Sequence, residues 1–193
     1  IAPTMSPITI TTHAPELNTA AQALATELGL PFTIALDKDT PFWLLLTTQG
    51  LQLCSSLYHK TQPLQVDFLA GRNYHRYRYG GGKRQMIARA VGIKGNHCPS
   101  ILDITAGLGR DGFVLACLGC NVTLVERSVV LFALLRDGLQ RAQQVSWFQK
   151  LQLRLQLGDA NDVLQQLSKN TYPHVIYCDP MYPNRKPSAL VKK

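Results

Sequence analysis

The chain has 193 residues, of which 46% are hydrophobic and 17% charged, and it carries a formal net charge of +8. That length and apolar content suit one large domain, or one domain with a small companion, and they exclude a disordered or fibrous chain. Aliphatic runs such as Phe42 to Leu46 fall short of the about 20 apolar residues a membrane helix needs, so no membrane partner is expected. The N-terminus lacks a basic stretch followed by an apolar segment, so no secretory signal is expected. Five cysteines, an odd number, fit a reducing cytoplasm better than a disulfide framework.

Residues 1–65 are expected to form a small α+β unit. Ile8 to Thr12 reads as a strand, and Pro15 to Leu28 has helical apolar spacing at Leu17, Ala21, Leu24 and Leu28, with Gly29 as its stop. Phe42 to Thr47 and Leu51 to Leu57, around a turn containing Gly50, predict a hairpin. Residues 66–99 read as a basic linking segment, with a further strand at Val66 to Ala70 and a short helix from Gln85 to Val91 that ends at Gly92.

From Ser100 the rhythm changes to alternating strands and helices. Strands are expected at Ile101 to Thr105, Asn121 to Val125, Leu151 to Leu157 and His174 to Cys178. Helices are expected at Asp111 to Leu118, Val129 to Val145 and Asn161 to Lys169. Such alternation predicts an α/β fold, a Rossmann-like doubly wound parallel sheet with helices on its faces. The sequence stops fourteen residues after Asp179, which leaves the last strand little to pack against. The C-terminal part of the sheet is therefore expected to be missing from this chain.

The charge is concentrated. Between Lys60 and Lys94 eight basic residues face one acid, Asp67, a net +7. Four more basic residues follow Asp179 with no acid among them. Such a balance points to a polyanionic partner. Arg72-Asn-Tyr-His-Arg76-Tyr-Arg78 interleaves cations and aromatics, a pattern suited to phosphate contact and base stacking, and Lys83 and Arg84 extend it.

The sharpest local signal is Asp103-Ile-Thr-Ala-Gly107-Leu-Gly109-Arg110-Asp111-Gly112, in which Gly107, Gly109 and Gly112 have G-x-G-x-x-G spacing between a strand and a helix. Glycines there permit a tight turn and close approach of backbone N–H groups to a ligand. Glu126 ends the next strand, where a carboxylate can accept hydrogen bonds from both hydroxyls of a ribose. Asp111 in the first helical turn would repel a pyrophosphate but tolerate a cationic ligand without phosphate, such as S-adenosylmethionine. Asp103 could face that ligand's amino group, and Arg110 could pair with its carboxylate or with Asp111. Asp159 and Asp179 end the third and fourth strands, so Glu126, Asp159 and Asp179 are expected in one crevice. Cys117 and Cys120 form a single C-x-x-C with no second pair, and the five histidines have no ligand spacing, so no metal site is expected.

Together these motifs resemble class I S-adenosylmethionine-dependent methyltransferases. Asp179-Pro-Met-Tyr-Pro183 resembles the Asp-Pro-Pro-Tyr type motif of enzymes that methylate exocyclic amines of bases, with Met181 where a second proline is common. More closely, Tyr79-Gly-Gly-Gly-Lys83, Ala90-Val-Gly-Ile-Lys-Gly95, Asp103 to Asp111, Asp179 to Pro183 and Lys186 to Lys193 resemble the bacterial small-subunit ribosomal RNA methyltransferase J family. The resemblance implies residues 100–193 as a binding domain for S-adenosylmethionine and N2-methylguanosine in 16S rRNA as the product, with 16S rRNA or the small ribosomal subunit as partner. No obligate protein partner is inferred. It further implies cofactor contacts at Arg110, Asp111, Glu126, Arg127, Asp159, Ala160 and Asp179. Asp179 and Pro180 would hold the target amine, and Tyr182 would stack on a flipped base. A nicotinamide-dependent oxidoreductase and a non-catalytic RNA-binding protein on the same fold are the alternatives.

Overall fold

The computed structural model describes residues 8–37, 39–57, 62–71, 74 and 82–179. Two sheets organise it. The first contains β1 (Thr9–Thr12), β2 (Phe42–Thr47) and β3 (Gly50–Ser55) in the order β1-β2-β3. β2 and β3 form the expected hairpin, with Thr47 opposite Gly50, while β1 joins β2 in parallel. That parallel pairing requires a crossover, and α1 (Asn18–Leu28) lies on it after a 3-10 turn at Pro15–Leu17. Ala21 and Ala25 are the buried residues of α1, and their small side chains bring the helix close to the sheet.

The strand expected at Val66 to Ala70 does not form. Asp67 Oδ1 accepts the backbone N–H groups of Leu69 (2.7 Å) and Ala70 (3.1 Å), which folds the segment into a side-chain-stapled turn. Val66 and Phe68 are nevertheless buried. Phe68 packs against Phe113 and Phe148, with ring centroids 5.0 and 5.8 Å away. A short helix, α2 (Met86–Ala90), then leads into the second sheet.

That sheet contains β4 (Ser100–Asp103), β5 (Asn121–Glu126), β6 (Leu153–Leu157) and β7 (Val175–Tyr177), all parallel, in the order β6-β5-β4-β7. The intervening helices are α3 (Arg110–Cys117), α4 (Val129–Ala142) and α5 (Ala160–Gln166). The chain steps outward from β4 through β5 to β6, then crosses back beyond β4 to β7. Right-handed crossovers put α3 and α4 on one face and α5 on the other. Burial follows that division. Ile101, Val122 and Leu124 belong to a cluster with Phe113, Leu134 and Leu135, whereas Leu102 and Val125 pack with Val163 of α5. This is the doubly wound α/β fold.

The larger cluster continues into the first sheet through Ile10, Leu44 and Leu51. Polar ties reinforce that join. Arg136 of α4 pairs with Glu27 of α1, and Arg141 donates to the carbonyl of Val66. Gly138 lies against the same carbonyl, and a Cβ there would come within 2.8 Å of it. No helix among the described residues is long and apolar enough to cross a membrane.

Candidate active site

In an open α/β sheet, the loops at the carboxyl ends of two strands part where strand order reverses, and ligands bind in that opening. Here the reversal falls between β4 and β7. Two adjoining clefts, of about 530 and 550 Å³, open there and share Thr105, Gly107, Leu131 and Asp179.

The turn after β4 builds the shared wall. Gly107 and Gly109 both have positive φ, +54° and +68°, and Gly109 is the N-cap of α3. A Cβ at Gly109 would come within 2.6 Å of Leu135 Cδ2, so the tight turn and close packing both require glycine. The turn also presents Gly107 N–H to Glu126 Oε2 at 2.9 Å, while Glu126 Oε1 accepts Ser128 N–H at 2.7 Å. Glu126 is buried, so its carboxylate is fixed by two backbone donors. A carboxylate has about four acceptor positions, which leaves two for a vicinal diol.

The second cleft has an acidic interior. Asp103 is 2% exposed and accepts the Thr105 N–H at 3.0 Å. Burial pushes its carboxyl up to about 6, opposed by the Thr105 hydrogen bond and assisted by the negative charges of Asp111 and Asp179. Asp111 Oδ2 accepts a hydrogen bond from the Tyr177 hydroxyl at 3.0 Å, which ties α3 to β7. Burial and this bond together raise the Tyr177 phenol above its ordinary range. Asp179 is held through its backbone, whose N–H donates to Thr105 Oγ1 at 2.8 Å. Three carboxylates around a cavity repel an anion and attract a cation.

Comparisons with known proteins bear on this geometry. The SAM-dependent methyltransferase family model SAM_MT matches residues 24–193. Ribosomal RNA small subunit methyltransferase J of Coxiella burnetii strain RSA 493 is 50% identical over 186 residues, which cover 96% of this chain and 72% of that protein. The chain belongs to the ribosomal RNA small subunit methyltransferase J family. The member from Thioalkalivibrio sulfidiphilus is 47% identical over 188 residues, covering 96% of this chain and 73% of its own. A crystal structure of a SAM-dependent methyltransferase from Neisseria gonorrhoeae superimposes with a TM-score of 0.74 at 32% identity, covering 91% of this chain and 70% of that one.

The cofactor of this methyltransferase family is S-adenosylmethionine, and the residues present fit it. A diol acceptor at Glu126 and an acidic cavity that suits an ammonium and a sulfonium lie side by side. Asp159, at the N-cap of α5, lines the Glu126 cleft together with Ala160 and Arg127. Asp159 Oδ1 accepts Asn161 N–H at 2.9 Å, which orients the carboxylate and leaves acceptor positions for an amine. Arg110 is exposed on the rim of the Asp103 cleft and pairs with no carboxylate among the described residues, including Asp111.

Pro180, Tyr182, Arg72, Arg76 and Arg78 lie outside the described residues. Lys83 and Arg84 are exposed in a 3-10 turn at Gly82–Arg84, and Lys83 Nζ donates to the Gly95 carbonyl. Burial raises the Cys117 thiol to about 12, and chiefly burial raises that of Cys120 to about 11, so both are protonated at neutral pH. Thr105, Ser128 and Tyr177 escaped the sequence reading. Thr105 and Tyr177 each lie two residues from a flagged aspartate, Asp103 and Asp179, and that spacing was the available signal.

Proposed function

We propose that this protein transfers a methyl group from S-adenosylmethionine to the exocyclic N2 of a guanosine in 16S rRNA, acting in the cytoplasm on rRNA or on the small ribosomal subunit. The observation that carries the reading is the convergence of Asp103, Glu126 and Asp179 where strand order reverses, in a chain 50% identical to a ribosomal RNA small subunit methyltransferase J. A nicotinamide dinucleotide fits less well, since its pyrophosphate would meet Asp103 and Asp111.

When bound, S-adenosylmethionine supplies an electrophilic methyl group on a sulfonium. The protein's part is positioning and electrostatics. Glu126 accepts the ribose hydroxyls, Asp159 and Ala160 meet the adenine, and Asp103, Asp111, Arg110 and Arg127 border the remainder. Gly107 and Gly109 keep the turn narrow. Asp179 and the Pro180 carbonyl accept hydrogen bonds from the guanine amine, and Asp179 can take the proton that the amine sheds. Tyr182 stacks on the flipped base.

The RNA is held by Arg72, Arg76, Arg78, Lys83 and Arg84 on the basic segment 66–99, which links the N-terminal unit 1–65 to the cofactor-binding part 100–193. The test uses the full-length protein, methyl-labelled S-adenosylmethionine, and 16S rRNA or small subunits from cells lacking the enzyme. After digestion to nucleosides the label is expected in N2-methylguanosine. Label in another nucleoside, or none, overturns the reading.

A further inference from the structure

A third cleft, of about 480 Å³, lies beside the Asp103 cavity and is lined by Gln85, Met86, Ile87, Ala90, Asp111 and Tyr177. Asp111 and Tyr177 border both spaces, so their hydrogen bond forms a partition between this cleft and the one that holds Asp179. The cleft's other wall is α2, and its composition is unusual. Met86 is 86% exposed, the highest value among the large apolar residues described. Ile87 and Ala90 continue that apolar wall inside the cleft.

The chain segment that carries α2 is cationic. From Gly82 to Ser100 there are four basic residues, Lys83, Arg84, Arg89 and Lys94, and no acid. All four are exposed. An apolar protein surface would leave these cations without counter-charge. A nucleic-acid strand offers the complement: flat apolar base faces for Met86 and Ile87, and phosphates for the cations.

Resting on the function proposed above, we infer that the Met86 cleft is a subsite for an unpaired nucleotide of the RNA next to the methylated guanosine. Its base lies on Met86 and Ile87, and its phosphates face Arg84 and Arg89. The Tyr177–Asp111 partition keeps this base out of the methyl-transfer cavity. The subsite therefore selects the sequence context of the target and takes no part in the chemistry.

The test compares the wild-type protein with Met86→Ala and Met86→Leu, using 16S rRNA or small subunits from cells lacking the enzyme. Because Met86 is exposed, its truncation leaves no cavity and the variants should melt with the wild type. Met86→Ala should raise KM for RNA about fivefold, within what the contact of a methionine thioether with an aromatic ring is worth, with kcat and cofactor affinity unchanged. Met86→Leu, which keeps the apolar face, should restore most of the loss. An unchanged KM in Met86→Ala overturns the subsite, and so does a weakened affinity for S-adenosylmethionine. Product analysis separates the two claims. N2-methylguanosine from the wild type with no change of KM in Met86→Ala overturns the subsite alone, whereas no N2-methylguanosine from the wild type overturns the proposed function and the subsite with it.

Discussion

Thr105 Oγ1 accepts the backbone N–H of Asp179 at 2.8 Å. One side-chain hydroxyl thus holds together the loops after β4 and β7, the two strands that part where strand order reverses. The same residue donates its own N–H to Asp103. The carboxylate proposed to hold the cofactor amine and the one proposed to hold the target amine are therefore kept in register by a single threonine.

Thr105→Val keeps the volume and removes the acceptor. Asp179 would then be free to shift, and a displacement of about 1 Å can lower turnover about 100-fold. We expect kcat to fall between about 10- and 100-fold, with a smaller change in affinity for S-adenosylmethionine. Thr105→Ser should recover most of the rate because it keeps the hydroxyl. Steady-state kinetics beside cofactor titration reads both, and a serine variant as slow as the valine one would contradict the role.

Glu126→Gln replaces one carboxylate oxygen by an NH₂ group. Whichever way the amide turns, that group meets a backbone N–H, of Gly107 or of Ser128, where an acceptor stood. The charged acceptor for the ribose is lost as well. Hydrogen bonds to charged groups contribute about 1.5–3 kcal/mol, so affinity for S-adenosylmethionine should weaken about 10- to 150-fold. Calorimetric titration reads this directly. Binding within about threefold of the wild type would remove Glu126 from the proposed ribose contact.

Much of this architecture is legible in the residues themselves. The change of rhythm at Ser100 to alternating strands and helices places β4 to β7, and apolar spacing places α1 and α4, because each of these two helices buries one face. Glu126, Asp159 and Asp179 could be picked out because they stand where strands end. Other features depend on contacts between distant segments. Val66 to Ala70 has the composition of a strand, yet Asp67 caps the N–H groups of Leu69 and Ala70 and removes them from any ladder. The Tyr177–Asp111 bond spans 66 positions, and no local pattern announces it. That β1 pairs with β2 in parallel follows from α1 packing on the sheet rather than from either strand's residues.

Gly138 carries a second consequence of such distant contact. It is buried on α4, where alanine would ordinarily favour the helix by about 1 kcal/mol. A Cβ there would sit 2.8 Å from both the carbonyl oxygen and Cγ1 of Val66, and a backbone carbonyl yields less readily than a side chain. Gly138→Ala should therefore destabilise the protein despite its better helix propensity, by about 1–3 kcal/mol from overpacking. In a chain of this size that lowers Tm by about 2–4 °C per kcal/mol. A variant that melts at or above the wild-type temperature would show that α4 can move away from Val66 at little cost.

Asp103 links stability to pH. Burial raises its carboxyl in the folded protein to about 6 from an ordinary 3.8. Between those values the native state keeps a proton that the unfolded chain has released, so stability falls as pH rises through the window. Above about pH 6 the full penalty applies, and two pKa units correspond to about 3 kcal/mol. Asp103→Asn carries no charge and can still accept the Thr105 N–H. It should be more stable than the wild type at pH 7.5 by up to about 3 kcal/mol and nearly equal to it at pH 4. The cost to function should run the other way, because the lost carboxylate is the one proposed to face the cofactor's amino group. Urea unfolding of both proteins at the two pH values measures the difference, and a gap that does not widen with pH would place the Asp103 carboxyl in its ordinary range.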